Sequence, residues 1–459
     1  MLHFMREIYA IRQSRAEICT RLCGMGLALQ MAIVFACTLA ARAEDPINEA
    51  PLPSSADYTV GQTDVGPGPR VGVIPAGPID SKGGVISGEG YSAEPSRFHY
   101  KLGLTVRGVW DDNIFISNTN RVSDYYFAIE PMITIGFGDI EGRGSDYIRL
   151  DYIPSIILYV DHSHDDAVSH LIHLEGMHRF SRLTLTLSQD VDILDGTNLN
   201  STLDTTGQQA NLDASTPTRL NLFITRLRAN YELTGKMFLT GEFDAYITDY
   251  PDFISSETLS GGLYINYIWT PKVTVGIGGT AGYAIVDDPN PDQTFEQANV
   301  RFTYQATGKL FFNASAGVEF RQSDSTDHTS PVFELGATYH PFDGTTVSLA
   351  GVRRNLPSGF FPAQDFGSTS IVLRVQQRLL QRFYLAVAAG YENDNYFNTA
   401  SGVSAPRNDN YYFVEPSLDV LITRYWSAGV YYLYRQDFSS IDFFSFYDNQ
   451  VGVRTTIRF

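Results

Sequence analysis

The chain has 459 residues, of which 13% are aromatic, and a formal net charge of -18 at pH 7. An acidic chain of this kind is not expected to bind nucleic acid, because nucleic-acid binding depends on basic side chains that contact phosphates. After residue 43 there is no apolar stretch long enough for a membrane-spanning helix and no cysteine, so we expect no helical span, disulfide or cysteine-based metal site.

Residues 1–43 have the pattern of a secretory signal peptide. A basic stretch that ends at Arg21 precedes an apolar run from Gly24 to Ala40, and Ala41-Arg42-Ala43 offers a small-residue cleavage site. The run is slightly short for the alternative, an uncleaved membrane anchor. All three cysteines of the chain lie in this segment, which suits a mature protein that crosses an oxidising periplasm. We therefore predict cleavage after Ala43.

Residues 44–96 are rich in Pro, Gly and Ser, as in Gly66-Pro67-Gly68-Pro69. Such a segment cannot bury enough apolar surface to offset the entropy lost when a chain becomes ordered. We predict a disordered periplasmic arm. A plug for the following domain, or a docking arm for a partner protein, is the alternative interpretation.

Residues 97–459 consist of short segments in which apolar and polar residues alternate, which predicts an all-β domain, a transmembrane antiparallel up-and-down β-barrel. We count about 18 strands, and a miscount by one hairpin would give 16 or 20. A soluble β-sandwich or propeller would not explain an apolar face on nearly every strand. The predicted strands start near residues 97, 123, 146, 167, 182, 214, 236, 256, 272, 293, 309, 330, 344, 364, 382, 409, 424 and 446.

The connections between these segments alternate between tight and long. The tight ones carry Gly, Pro or a small polar residue beside a cation, as in Thr234-Gly235-Lys236 and Thr270-Pro271-Lys272. The long ones, such as Asp195 to Asp213, are polar and often acidic. This asymmetry predicts short periplasmic turns and long extracellular loops, with the arm and the C-terminus on the periplasmic side.

The last nine residues show the strand pattern most clearly. Val451, Val453, Thr455, Ile457 and Phe459 fall on one face, and a cationic, Gly-containing set falls on the other. A final strand that ends on an aromatic residue resembles the signal that bacterial outer-membrane proteins present to the barrel assembly machinery. Phe459 is therefore our candidate for an assembly signal.

Two motifs near the start of the domain recur near its end. Asp112-Asn113-Ile114-Phe115 recurs as Asp394-Asn395-Tyr396-Phe397, and the segment 123–131 recurs as 408–416, each with an internal Asp and a final Glu-Pro. The first copy, with Val109-Trp110 before it, resembles the β-barrel porin 2 family over residues 97 to about 138. Some members of that family are associated with exopolysaccharide or capsule export. The resemblance implies an outer-membrane barrel and assigns no solute.

Because side chains alternate between the two faces of a strand, the sequence predicts which charged residues face the interior, and many of them are arginines. A charged group on the lipid face would cost roughly 2–4 kcal/mol at mid-bilayer, so each arginine is expected to face the interior. Inward carboxylates include Glu130 and Glu415, so an interior braced by Arg–carboxylate pairs is one interpretation. An arginine ladder that attracts anionic solutes is the other. The candidate arginines are Arg107, Arg149, Arg226, Arg228, Arg301, Arg374, Arg378, Arg435, Arg454 and Arg458.

Five histidines between residues 162 and 178 are the remaining candidates for chemistry. No spacing among them matches a zinc motif, and Ser169 and His170 point to opposite faces of a strand. The chain also lacks Gly-x-Ser-x-Gly, His-Glu-x-x-His and phosphate-binding glycine motifs. We therefore expect no catalytic residue, no bound metal, no cofactor and no enzyme activity.

Together these features predict an outer-membrane, porin-like channel for hydrophilic, anionic solutes. The first alternative is an outer-membrane component of exopolysaccharide or capsule export, for which the arm would meet periplasmic partners. The second is a structural barrel with a closed interior. In each case we expect the partners to include outer-membrane lipid, lipopolysaccharide and the assembly machinery.

Overall fold

The computed structural model describes residues 98–138, 140, 146–196, 212–288, 290–307, 309–323, 326–342 and 344–459. The predicted signal peptide (1–43) and periplasmic arm (44–96) lie outside these residues. Among the residues described, no helix is long and apolar enough to span a membrane.

Eighteen strands form one closed antiparallel ring in the described part of the chain. Each strand pairs with the next along the sequence, and the last pairs with the first, as in the register Arg107↔Arg454. The prediction of an up-and-down barrel is confirmed. The strands are β1 Phe98–Asp111, β2 Asp124–Gly138, β3 Tyr147–Tyr159, β4 Ala167–Arg179, β5 Leu183–Leu194, β6 Leu220–Thr234, β7 Met237–Asp249, β8 Ser256–Thr270, β9 Val273–Val286, β10 Gln293–Thr307, β11 Leu310–Ser323, β12 Asp327–Tyr339, β13 Thr345–Pro357, β14 Gln364–Leu379, β15 Phe383–Asn398, β16 Asn408–Thr423, β17 Trp426–Ser439 and β18 Phe446–Arg458.

Side chains alternate between the outer surface and the interior of the ring. In β18, Val451 and Val453 are about half exposed on the outside, whereas Gly452 and Arg454 are buried inside. Contacts between strands that are not neighbours prove which face is inside. Arg301 on β10 donates to Glu242 on β7 at 2.6 Å, which is possible only across the interior surface. The polar residues of the sequence pattern are therefore the inward ones.

The two ends of the ring differ in the length of their connections. One end, the tight-turn rim, carries the turns 180–182, 235–236, 271–272, 380–382 and 424–425, as predicted. Threonine hydroxyls close several of these turns. The Oγ1 of Thr234 accepts from the backbone N–H of Met237 at 3.1 Å, and that of Thr270 accepts from Lys272 at 3.2 Å. The Thr-x-Lys pattern thus specifies a turn through a local hydrogen bond.

The other end, the long-loop rim, carries the longer connections, including the β5–β6 loop (195–219), the β13–β14 loop (358–363) and the β15–β16 loop (399–407). The predicted strand starts agree with the structure to within a few residues except at β6. That strand was expected near residue 214 and begins at Leu220, because Leu212–Ala214 form a turn that is buried inside the ring.

Candidate functional site: the interior of the barrel

The candidate arginines all lie on interior positions of their strands, and most of them meet a carboxylate. Arg228 lies between Glu242 at 3.1 Å and Asp244 at 2.9 Å. Arg454 donates through Nε to Asp419 at 2.8 Å. The interior is therefore cross-braced between strands by charge-assisted hydrogen bonds. The other pairs between strands are Arg107–Glu130, Arg301–Glu242 and Arg435–Asp448, whereas Arg149–Asp151 joins two residues of β3.

A second set of interior arginines is not neutralised in this way. Arg226, Arg378 and Arg458 form no salt bridge with a carboxylate of the described residues. Arg378 donates to the carbonyl of Gln381 at 3.2 Å, and two nitrogens of Arg458 are buried without a hydrogen bond. Glu415 also faces the interior, where it interacts electrostatically with Arg454, Arg107 and Arg374.

Residues 212–215, at the end of the β5–β6 loop, lie in the interior and pack against the opposite wall. Leu212 is 1% exposed and belongs to a buried cluster that is built by the first connection and by strands β14 to β18. Burial of one leucine side chain contributes about 1.5–3 kcal/mol. The loop residues are thereby anchored on strands far from their own. The other members of the cluster are Ile116, Val372, Tyr411, Phe413, Leu433 and Phe446.

Asp213 is the polar anchor of the same loop segment. Its carboxylate accepts from the Ser358 hydroxyl at 3.0 Å, from the backbone N–H groups of Gly359 at 2.6 Å and Phe360 at 3.2 Å, and from the Tyr396 hydroxyl at 2.5 Å. Gly359 is required at its position, since a Cβ there would lie 2.7 Å from the Tyr250 ring. A carboxylate with this many donors is held in one orientation.

Arg407 completes the anchor from the β15–β16 loop. Its Nη1 donates to the carbonyl oxygen of Asp213 at 2.8 Å, and its Nε donates to Asp409 at 2.8 Å. Its guanidinium carbon also lies 3.6 Å from the centroid of the Phe444 ring. Burial alone would lower the pKa of the Arg407 guanidinium, but Tyr396 and the carboxylates of Asp213 and Asp409 raise this pKa above its ordinary value.

Two residues near this anchor have strained backbones. Ser215, two residues after Asp213, has a φ of 45°, and Ile116 of the buried cluster around Leu212 has a φ of 46°. Left-handed backbone is unfavourable for a β-branched residue such as isoleucine. The strain is offset by local contacts, such as the 2.6 Å hydrogen bond from the Ser215 hydroxyl to the carbonyl of Leu212.

Sequence reasoning missed both Asp213 and Arg407. The available signal was local: Leu212 and Ala214 are two of the few apolar residues in a mostly polar loop, and Arg407 is the one cation of its loop. Neither pattern shows that two loops ten strands apart along the chain would meet.

The histidines do not converge on one site. His162 contacts Asp124 at 2.9 Å, His170 contacts the Tyr152 hydroxyl at 3.0 Å on the outer surface, and His173 contacts Asp190 at 2.7 Å inside. His178 packs edge-on against Phe180. Within the described ranges these side chains therefore share no metal-binding geometry.

One group of three carboxylates does lie close together at the long-loop rim. Asp111, Asp112 and Asp448 each place an oxygen within 4.8 Å of the others. Their oxygens, apart from one of Asp448, already accept from protein donors such as Gln450 and Asn449, and Arg435 and Arg121 supply two positive charges. The donors and charges already present leave little capacity for a metal ion.

Phe459 lies at the seam where the ring closes. Its backbone N–H donates to the carbonyl of Leu102 at 2.8 Å, and its side chain is 78% exposed on the outside. Its role as an assembly signal stays a prediction.

No protein-family model matches the chain, and no curated protein sequence matches it, so the resemblance to the β-barrel porin 2 family also stays a prediction. Solved outer-membrane structures are similar to it only distantly. OprD of Pseudomonas aeruginosa is 13% identical, with 80% of this chain and 97% of that chain covered and a TM-score of 0.38. OpdK of P. aeruginosa, solved with vanillate, is 12% identical with coverages of 78% and 99%, and OccAB3 of Acinetobacter baumannii is 14% identical with coverages of 78% and 98%, both at a TM-score of 0.38. At this similarity they carry no information on what the chain does.

Proposed function

We propose that the chain forms a channel of the bacterial outer membrane for hydrophilic solutes, with a preference for anions. In this arrangement the apolar outer surface of the strands contacts lipid and lipopolysaccharide. The tight-turn rim and both ends of the ring face the periplasm, and the C-terminal strand with Phe459 is read by the assembly machinery.

The observation that carries the proposal is the segment 212–215 of the β5–β6 loop, which is buried in the interior against the opposite wall. A wide ring with charged inner walls provides an aqueous path. The β5–β6 loop, held at Leu212 and Asp213 on the opposite wall, would narrow that path at the extracellular mouth. A narrow, charged constriction concentrates field lines and selects among solutes by size and charge.

The anion preference is assigned to the arginines without a carboxylate partner. Arg378 and Arg458 lie close to the tight-turn rim, and Arg226 lies near the middle of β6. The paired arginines contribute little net charge, because each is compensated by a neighbouring carboxylate.

The test is single-channel conductance of the purified, folded protein in a planar bilayer, with a salt gradient to measure ion preference. We expect steady openings and an excess of anion over cation flux. Asp213→Ala should raise the conductance, because the loop loses its anchor. Asp252→Ala, at an exposed residue of the β7–β8 loop, is the matched control and should leave the conductance unchanged.

A folded protein that never conducts would contradict the proposal and favour the structural barrel with a closed interior. If Asp213→Ala conducts with unchanged amplitude, the protein is a channel, but the β5–β6 loop does not form its constriction.

A further inference from the structure

The pairing of β12 with β13 stops well before either strand ends. Its last pair at the long-loop rim is Phe333↔Arg353, whereas β12 also includes residues 327–332 and β13 also includes residues 354–357. On their other sides both strands stay paired along their whole length, β12 with β11 and β13 with β14. Beyond Arg353 the end of β13 and the start of β14 therefore leave the wall together, and we call residues 354–366 the mouth hairpin.

The mouth hairpin lies across the interior at the long-loop rim. The carbonyl of Gly359, near its tip, accepts from the backbone N–H of Ile254 in the β7–β8 loop at 2.8 Å, and the Gly359 N–H donates to Asp213. The strands on either side of the hairpin meet across the gap that it leaves, since the ring centroids of His328 on β12 and Phe397 on β15 are 3.7 Å apart in a stacked arrangement. The hairpin therefore covers the mouth of the barrel.

Two arginine side chains bind the carbonyl groups that a continued pairing of β12 with β13 would use. The register would place Pro331 opposite Asn355. Instead, the Pro331 carbonyl accepts from Nε of Arg353 at 3.1 Å, and the Asn355 carbonyl accepts from Nη2 of Arg321 at 3.2 Å. The Asn355 side chain also donates to the Ser330 hydroxyl at 2.7 Å. Side chains therefore hold this seam in place of backbone pairs.

A buried polar network fixes the base of the mouth hairpin. Asp365, the second residue of β14, accepts from Arg321 at 3.1 Å and from Gln293 at 2.8 Å. The Asn355 side chain donates to Glu319 at 2.8 Å. Arg321 and Asp365 are 3% and 1% exposed, so the network is sheltered from water. Such a network is strong only while all its members are satisfied, and removal of one charge should loosen the hairpin.

The tip of the mouth hairpin is strained in this position. Ala363 has a φ of 55°, in the left-handed region that is unfavourable for a residue with a Cβ. Other loops hold it there, because its N–H donates to Asn290 at 2.6 Å and its carbonyl accepts from the N–H of Thr399 at 2.9 Å. Strain of this kind persists only while such contacts last.

The wall offers the mouth hairpin a second position. If the pairing continued in register, Asn355 would lie opposite Pro331, and Pro357 would lie opposite Thr329. A proline accepts but does not donate in a ladder, so each of these pairs would lack one hydrogen bond. The wall position therefore gains backbone pairing and loses the interior contacts, while the two prolines weaken it. An element with two competing packings of this kind can switch between them.

We propose that the mouth hairpin is the gate of the channel. It moves between the position across the mouth and a position in the wall, where it pairs with β12. The inference rests on the proposed channel function and adds its moving part. In the position across the mouth, Ser358 and Gly359 also bind the carboxylate of Asp213. Movement of the hairpin into the wall would therefore release residues 212–215 as well and widen the path.

The first experiment measures the movement itself and does not depend on conduction. The predicted mature chain (44–459) has no cysteine, so spin labels can be attached through Pro362→Cys at the hairpin tip and Asp252→Cys on the β7–β8 loop, both at exposed residues. We expect two populations of the distance between the labels, of which the longer belongs to the hairpin in the wall. Asp252→Cys with Asp288→Cys, on two loops outside the hairpin, is the control pair and should give one distance.

A variant of the buried network makes this measurement decisive. Asp365→Asn should raise the share of the longer distance at least about twofold, because the position across the mouth loses a charge that binds Arg321. Asp327→Asn, at an exposed residue of β12, is the matched control and should leave the populations unchanged. One short distance in the unmodified protein and in Asp365→Asn alike would overturn the proposal.

The second experiment connects the movement to conduction. Phe253→Cys with Phe360→Cys, at positions whose rings have centroids 5.6 Å apart, is treated with a short bis-methanethiosulfonate that links the hairpin to the β7–β8 loop. The linked protein should stay at its smallest conductance level, and reduction should restore the larger level. The two single variants with the same reagent are the controls.

Two other outcomes separate the gate from the channel. Equal conductance before and after reduction, in a protein that shows both label distances, would overturn the gate and leave the channel. Both label distances in a folded protein that never conducts would contradict the channel function itself, while the hairpin would still be shown to move.

Discussion

Arg407 holds Asp213 in place from the far side of the ring. The Nη1 of Arg407 lies 2.8 Å from the carbonyl oxygen and 3.5 Å from the carboxylate of Asp213. Their loops are separated by ten strands in one direction around the ring and by eight in the other. A single buried guanidinium therefore links two walls of the barrel that share no strand pairing.

Replacement of Arg407 by Met should lower the free energy of unfolding by about 3–5 kcal/mol, because it leaves the carboxylates of Asp213 and Asp409 buried without a cation. Arg407→Lys should recover only part of this loss, since an ammonium cannot reproduce the planar fork of donors. Urea unfolding of the folded protein measures both variants. Equal stability of Arg407→Met and the unmodified protein would contradict the role of Arg407.

Leu212→Ala should release the β5–β6 loop without unfolding the ring. Removal of a buried leucine side chain costs about 2–5 kcal/mol, and here that cost falls on one docked segment. Hydrogen exchange of the amides of residues 212–216 should accelerate strongly, while exchange in the strands stays slow. Leu380→Ala, at a turn residue that is 85% exposed, is the control and should change neither.

Glu242→Gln should destabilise the barrel by about 3–5 kcal/mol, because Glu242 serves two buried arginines at once: the amide leaves Arg301 without its carboxylate and Arg228 with Asp244 alone. Arg228 and Arg301 contact Glu242 at 3.1 and 2.5 Å. The measurement is urea unfolding of Glu242→Gln, Arg301→Gln and the double variant. If the loss of stability in the double variant equals the sum of the losses in the two single variants, the two side chains are not coupled and the bracing interpretation is wrong.

Ion preference should depend on arginines without a carboxylate partner. Arg378→Gln with Arg458→Gln should lower the anion-to-cation permeability ratio, because both positive charges lie near one mouth and neither forms a salt bridge with a carboxylate of the described residues. Arg149→Gln with Asp151→Asn removes a whole ion pair near the same rim and should leave the ratio nearly unchanged. Reversal potentials in a salt gradient measure both. A larger effect of the second pair would show that the selectivity has been assigned to the wrong arginines.

The first long connection should lose stability in acid. Burial would raise the pKa of the Asp112 carboxyl, but hydrogen bonds from Arg121 and Asn449 hold this pKa below its ordinary value. The group therefore binds protons less readily in the folded state than in the unfolded state. Its contribution to stability is present above the unfolded pKa, about 4, and is lost as the pH falls through the folded value. The unfolding free energy of Asp112→Asn should fall less steeply with acidification below about pH 5 than that of the unmodified protein.

Strand parity could be predicted because membrane-type barrel strands alternate with a period of two over their whole length. In β18, Val451 and Val453 face outward and Arg454 faces inward. This follows from local geometry alone, since successive side chains of a strand point to opposite faces. The tight turns were also predictable, because a threonine hydroxyl and a following lysine N–H meet within three residues.

The anchor of the β5–β6 loop was not predictable in the same way. Asp213, Ser358, Tyr396 and Arg407 meet through the closure of the ring, and no periodicity relates positions so far apart in sequence. The alternation along a strand predicts that Arg228 and Arg454 face the interior. It does not predict that they meet Glu242 and Asp419, because those contacts depend on the register between strands.

Closure of the ring also determines how the chain can fold. Every described strand pairing joins consecutive strands except β1–β18, where the hydroxyls of Thr105 and Thr456 meet at 2.8 Å across 351 positions of sequence. Neighbouring hairpins can form early and locally, but the seam must wait until the last strand is available, and it carries the loop-closure entropy of the whole domain. Refolding should therefore end with one slow step at this seam, and truncation of the last strand should leave two unpaired edges that favour aggregation.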